Sequence, residues 1–150
     1  MGLVLTGAQS IGSSNSHAAE DGSLLKPTDP KIISLGEQIY ADNCAACHGV
    51  DLEGQDNWRQ RNTDGSLRAP PHDKTGHTWH HTDDILFGLT KLGAAQLMGI
   101  EGFKTSMPIY EDTLSDSEII AVLSFIKSRW PEEIRARHDQ MNASHAKANK

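Results

Sequence analysis

The sequence predicts an all-α fold of three or more helices joined by long loops. Three observations lead there. Apolar residues recur at helical spacing in three segments, each opened by a residue suited to capping a helix. No segment shows the sustained alternation of a half-buried strand. Polar stretches punctuated by glycine and proline separate the three segments.

The first helix is expected to start at Asp29-Pro30, with Asp29 as N-cap and Pro30 at the first helical position. Ile32, Leu35, Ile39 and Tyr40 follow at helical spacing, with Gly36 on the same face, and the helix runs into a cysteine cluster. From Gly49 to His81 the chain is polar and aperiodic, broken by Gly54, Gly65, Pro70, Pro71 and Gly76. A loop of that length needs a reason, and wrapping a flat cofactor supplies one. Thr82 is the expected cap of the second helix, Asp83 and Asp84 complement its dipole, and Ile85, Leu86, Leu89 and Leu92 form its buried stripe up to Gly93. After a glycine-rich segment that ends near Met107, Ser115 and Glu118 make a capping box for the last helix. Leu114 and Ile119 staple its start, Ile119, Val122, Leu123 and Ile126 line one face, and Pro131 ends it.

Domain organisation follows. Residues 1–28 read as a signal-like leader and flexible linker, 29–131 as one folded domain, and 132–150 as a polar tail, a frayed helix or disordered. Met1 to Ala8 are mildly apolar and Ser16-His17-Ala18-Ala19 offers small residues for signal cleavage, although no Lys or Arg precedes Lys26. No stretch approaches the roughly 20 apolar residues of a transmembrane helix, so the mature protein is expected to be soluble. The net charge of −6 argues against nucleic acid or an anionic membrane surface as partner and favours a partner with a basic docking face. Only 5% of residues are aromatic, thin for a filled core, and a buried cofactor would supply the missing apolar bulk.

The chemistry concentrates at Cys44-Ala45-Ala46-Cys47-His48. Two cysteines exclude a disulfide framework, and neither further zinc ligands nor a βαβ context for thiol redox work is evident. Two thiols three residues apart on a helix share a face, so both reach the vinyl groups along one side of a porphyrin. The histidine that follows projects toward the iron. This C-x-x-C-H pattern is that of covalent c-type haem attachment.

Over residues 33–130 the sequence resembles the class I cytochrome c family. The glycine and aromatic that this family places eight and four residues before its first cysteine are Gly36 and Tyr40 here. The resemblance implies a cytochrome c-like fold wrapped around one haem, with the first helix packed on the last through Val122 and Phe125. It implies Met107, in Ser106-Met107-Pro108, as sixth ligand, with Met98 in an apolar stretch as a core residue. His/Met ligation of this kind raises the reduction potential. It also implies that the carbonyl of Pro70 or Pro71 accepts from the His48 ring; Trp58, Arg59 and Trp79 are candidate donors to haem propionates, with solvated or rim-packed places equally open to all three. The function implied is one-electron transfer between redox partner proteins, outside the cytoplasm, in bacteria on the periplasmic side.

The resemblance leaves the histidine-rich loop unexplained. His72, His77, His80 and His81 could form a second metal site for copper or zinc. A polar loop at the haem edge is the plainer reading and is favoured, because loop imidazoles seldom converge without carboxylate or backbone support. Two rival functions remain beside the simple carrier: a haem-bearing subunit of a larger oxidoreductase or copper-handling system, and a peroxidase-like enzyme, for which no distal acid–base pair is evident.

Overall fold

In a computed structural model describing residues 23–149, the chain is helical. Six α-helices occur among the described residues: α1 (Pro30–Asn43), α2 (Ala45–His48), α3 (Asp83–Leu92), α4 (Ala94–Met98), α5 (Asp116–Ser128) and α6 (Glu132–Ala148). A 3-10 turn, Thr78–His80, precedes α3, and the described extended pairing is limited to isolated bridges of Leu67 with Arg61 and Thr105. The signal-like stretch at Met1 to Ala8 lies outside the described residues.

The two outer caps form as expected. The Asp29 carboxylate accepts from the backbone N–H of Lys31 and Ile32. At α5 the Ser115 hydroxyl accepts from the Glu118 N–H, and the Glu118 carboxylate accepts from the Ser115 N–H. These ends orient the helix pair that carries the fold. Where α1 crosses α5, a Cβ on Gly36 would lie 2.0 Å from the Ala121 carbonyl oxygen and 2.8 Å from Phe125 Cβ, so only glycine permits the approach. Tyr40 packs against Phe125 with ring centroids 5.4 Å apart and planes tilted by 49°. Ile39, Tyr40, Ile119, Val122, Leu123, Phe125 and Ile126 are all buried in this seam.

The second helix departs from expectation. Thr82 sits at the cap position of α3, but its hydroxyl makes no capping bond and is buried without a partner. The first N–H of the helix, on Asp83, is met instead by the Asn142 side chain of α6. Of the expected stripe only Leu86 is buried; Leu89 and Leu92 are half-buried and Ile85 is 39% exposed, so protein alone does not cover that face. Met98, expected in the core, is 51% exposed. The single turn of α4 packs through Leu97, which faces Gly88, and Met98 points away.

Both flanks are ordered where described. Leu25 is buried in the core, its N–H donating to the Asp83 carboxylate, and the Lys26 N–H donates to the Ser124 hydroxyl. The expected linker therefore folds in from Ser23 onward. The expected tail is the docked helix α6, which packs Ile134 against the core but is otherwise held by polar groups rather than an apolar stripe. His138 is buried, donating from Nε2 to the His81 carbonyl at 2.7 Å with its ring edge on Trp130. Lys127 of α5, fully buried, pairs with Asp139 of α6 at 2.6 Å and lies 3.9 Å from Asp83 of α3. Satisfied buried polar groups do here what apolar burial does in the rest of the core.

Candidate functional site

Cys44 follows the last residue of α1 with helical backbone angles, so Cys44 to His48 forms one further turn. The His48 N–H donates to the Cys44 carbonyl at 2.9 Å, and Gly49, at φ 81°, ends the turn. The Tyr40 hydroxyl donates to the Gly49 carbonyl at 2.8 Å and fixes this end against α1. The thiols are not joined to each other: Cys44 is half-buried and Cys47 exposed. Burial, with Cys47 as neighbour, pushes the Cys44 thiol up to about 11. Reactive thiols are tuned the other way, so Cys44 is not set up as a thiolate nucleophile.

The His48 imidazole is buried and its Nδ1 meets the Pro70 carbonyl oxygen at 2.8 Å. A carbonyl only accepts, so Nδ1 carries the proton and Nε2 keeps a lone pair available to a metal. Burial lowers the His48 pKa, with the Pro70 bond opposing, so the ring favours its neutral form. Of the two candidate prolines the structure selects Pro70. The Pro71 carbonyl faces the Thr78 hydroxyl at 3.4 Å instead.

The long loop is what brings Pro70 to His48. Leu52, buried and held at φ 69°, accepts at its carbonyl from the N–H of both His72 and Asp73. A Cβ on Gly54 would lie 2.4 Å from the Pro71 nitrogen, so glycine allows the two stretches to touch. His72 then stacks on His48 with centroids 4.0 Å apart and planes 23° from parallel.

Met107 is 40% exposed, its N–H donating to the Thr105 hydroxyl. Three residues on, Tyr110 is buried, donates its N–H to the Thr90 carbonyl and donates its hydroxyl to the Asn43 carbonyl, next to Cys44. The methionine segment is thereby tethered both to α3 and to the start of the cysteine turn. Met98, Ile100 and Ile109 are also exposed in this part of the chain.

The remaining expected site residues engage protein groups. Trp58 carries the Arg59 guanidinium 4.3 Å from its ring centroid and stacks on His77. The Trp79 indole N–H points to the Lys74 carbonyl at 3.4 Å, while its ring stacks on His80. The histidine loop does not gather into a metal site: no cluster of three metal-ligating side chains occurs among the described residues. His72 goes to His48 and Thr78, His77 to Trp58, His80 to Trp79, and His81 meets the edge of His77. His72 and His80 are thus turned to partners outside the loop's histidines, while His77 and His81 stay edge to face. Sequence reasoning missed Tyr110, and Trp130, whose indole N–H donates to the His72 carbonyl at 2.7 Å. A lone aromatic outside a motif carries no signal of that kind.

The family model for cytochrome c matches residues 33–130. Among curated proteins, the cbb3-type cytochrome c oxidase subunit CcoP of Rubrivivax gelatinosus is 36% identical over 50 residues, covering 33% of this chain and 16% of that protein. Subunit FixP of Sinorhizobium medicae (strain WSM419) is 50% identical over 28 residues, or 19% of this chain and 10% of the relative. Subunit FixPc of Rhizobium leguminosarum bv. viciae is 52% identical over 29 residues, again 19% and 10%. The chain thus spans a small fraction of the length of the relatives it matches. No solved structure matches the chain significantly.

Proposed function

The chain belongs to the cytochrome c family, and from that premise we propose that it is a mono-haem electron carrier with His48 and Met107 as the axial pair and Cys44 and Cys47 as the thioether anchors. Covalently bound haem c is the cofactor of this family, and its iron supplies one-electron chemistry. The donor set fits such a group. Two unlinked thiols and an imidazole with a free Nε2 lie on one turn, and one face of α3 is left partly open by the protein.

The observation that carries the reading is the His48 Nδ1 bond to the Pro70 carbonyl at 2.8 Å. It fixes the tautomer, aims Nε2 away from the loop and raises the basicity of the coordinating nitrogen. Met107 contributes a soft, weak thioether donor, which favours the ferrous state and raises the potential. Met107 is preferred to Met98 because Tyr110 ties its segment to the cysteine turn. Trp58 and Arg59 remain candidates for the propionate edge.

Electron transfer with both ligands retained needs no nucleophile or general base, so the protein acts as a carrier rather than an enzyme. Its charge of −6 suits partners with a basic face. No helix among the described residues is long and apolar enough to cross a membrane. Export to the periplasmic side follows from c-type haem attachment. The similarity to oxidase subunits CcoP and FixP favours a second reading, in which the domain delivers electrons to, or within, a larger oxidoreductase.

The test is a redox titration of the holoprotein beside Met107→Ala. The wild type is expected to show a sulfur-to-iron charge-transfer band at the red end of the ferric spectrum. Met107→Ala is expected to lose the band and titrate at lower potential; retention of the band in the variant overturns the Met107 assignment.

A further inference from the structure

The proximal side of the site holds one group for which attachment, ligation and solubility give no reason. His72 is a histidine at a position where an aliphatic residue would fill the same space, and it is fixed in three ways. Its N–H donates to the Leu52 carbonyl at 2.8 Å, its carbonyl accepts from the Trp130 indole at 2.7 Å, and its Nδ1 meets the Thr78 hydroxyl at 2.8 Å. The two backbone bonds set where the residue sits. The Thr78 bond fixes the plane of the ring, and that plane lies against the face of His48, 4.0 Å away and 23° from parallel.

We propose that His72 is a positioning residue that sets the rotation of the His48 imidazole about its coordinating axis, through a ring-on-ring contact held by Thr78. The inference rests on His48 being the axial ligand. The Pro70 carbonyl alone is a hinge, since one hydrogen bond at Nδ1 leaves the ring free to rock about it. A flat, anchored neighbour removes that freedom. Ligand orientation relative to the porphyrin, and the apolar cover on this side, are levers by which protein tunes an iron centre. Trp130 extends the support, since its indole N–H ties the His72 backbone to the end of α5 and its ring carries the edge of His138 from α6.

The proposal separates ring shape from bulk. In holoprotein, His72→Phe keeps a flat ring, His72→Leu fills the space without one, and Thr78→Val cuts the Nδ1 anchor while keeping volume. Low-temperature electron paramagnetic resonance of the ferric state reads ligand orientation through its g values, and redox titration reads the potential. His72→Phe keeps the flat ring but also loses the Nδ1 anchor, so it is expected to keep the wild-type mean g values with the same slight broadening as Thr78→Val. His72→Leu is expected to shift and broaden them and to lower the potential, because a loosened contact admits water beside the ligand and stabilises the more charged ferric state. Thr78→Val is expected to broaden them to a smaller degree. Wild-type g values and potential in both His72→Leu and Thr78→Val, in protein whose far-ultraviolet circular dichroism is unchanged, overturn the proposal. His48→Ala distinguishes the two failures: if it keeps the wild-type low-spin signal, the ligand assignment has failed and the role of His72 falls with it, whereas loss of that signal beside unchanged His72→Leu and Thr78→Val overturns the role of His72 alone.

Discussion

The Tyr110 hydroxyl donates to the Asn43 carbonyl at 2.8 Å, joining the methionine segment to the last residue of α1, immediately before Cys44. One hydrogen bond therefore spans the two ends of the proposed ligand set. Tyr110→Phe keeps the ring and deletes this bond, which is expected to cost about 1 kcal/mol. In guanidinium titrations of the ferric holoprotein, the charge-transfer band of the variant should disappear at lower denaturant than in the wild type. Coincident loss in both proteins would show that the tether does not hold the loop.

Gly36 is the tightest point of the α1–α5 crossing. In Gly36→Ala the added carbon would meet the Ala121 carbonyl oxygen at 2.0 Å, and that oxygen is helix backbone, unable to swing aside. The helices must separate, breaking the Tyr40–Phe125 contact. The expected loss is at or beyond the upper end of the about 1–3 kcal/mol typical of overpacking. Thermal unfolding of the holoprotein checks it; an unchanged midpoint would mean that the crossing is looser than described.

Much of this architecture was legible in the sequence, for reasons that show where legibility stops. Asp29, Pro30, Ser115 and Glu118 act within a few residues of themselves, so their roles follow from local spacing alone. The cysteine turn is equally local, and its five residues carry their own geometry. The Pro70 bond required a choice between two adjacent carbonyls that only the path of the loop around Leu52 and Gly54 decides. The helix α6 reads as a polar tail because its docking surface is largely His138, Asp139 and Asn142, which no apolar period reveals. Thr82 reads as a cap because sequence cannot show that Asn142, 59 residues away from Asp83, takes over the helix end. The histidine loop reads as one cluster because its residues are close in sequence, whereas the fold turns His72 to His48 and His80 to Trp79 and keeps only His77 and His81 edge to face.

The same α6 junction should make stability depend on pH. Burial chiefly, and the Lys127 ammonium next, lower the His138 pKa, while the His81 carbonyl, Asp83 and Asp139 oppose the shift. With the folded value below the unfolded one near 6.5, the unfolded chain binds more protons between the two values. Stability is therefore full above pH 6.5 and declines as pH falls through that point toward the folded value. His138→Gln removes the titration and keeps a donor for the His81 carbonyl. Its unfolding free energy should fall less steeply than that of the wild type below pH 6.5; parallel curves would remove His138 as a source of the dependence. Part of the slope will persist, because burial also lowers His72, His77 and His81.

The most direct test of the whole account is the mass of the denatured holoprotein, purified from a host that matures c-type haem, compared with Cys44→Ala, Cys47→Ala and the double variant. The account predicts one haem retained covalently by the wild type through denaturation and acid extraction, one weakened attachment in each single variant, and none in the double variant. Haem that is extracted intact from the wild type, or that stays bound when both cysteines are gone, would contradict it.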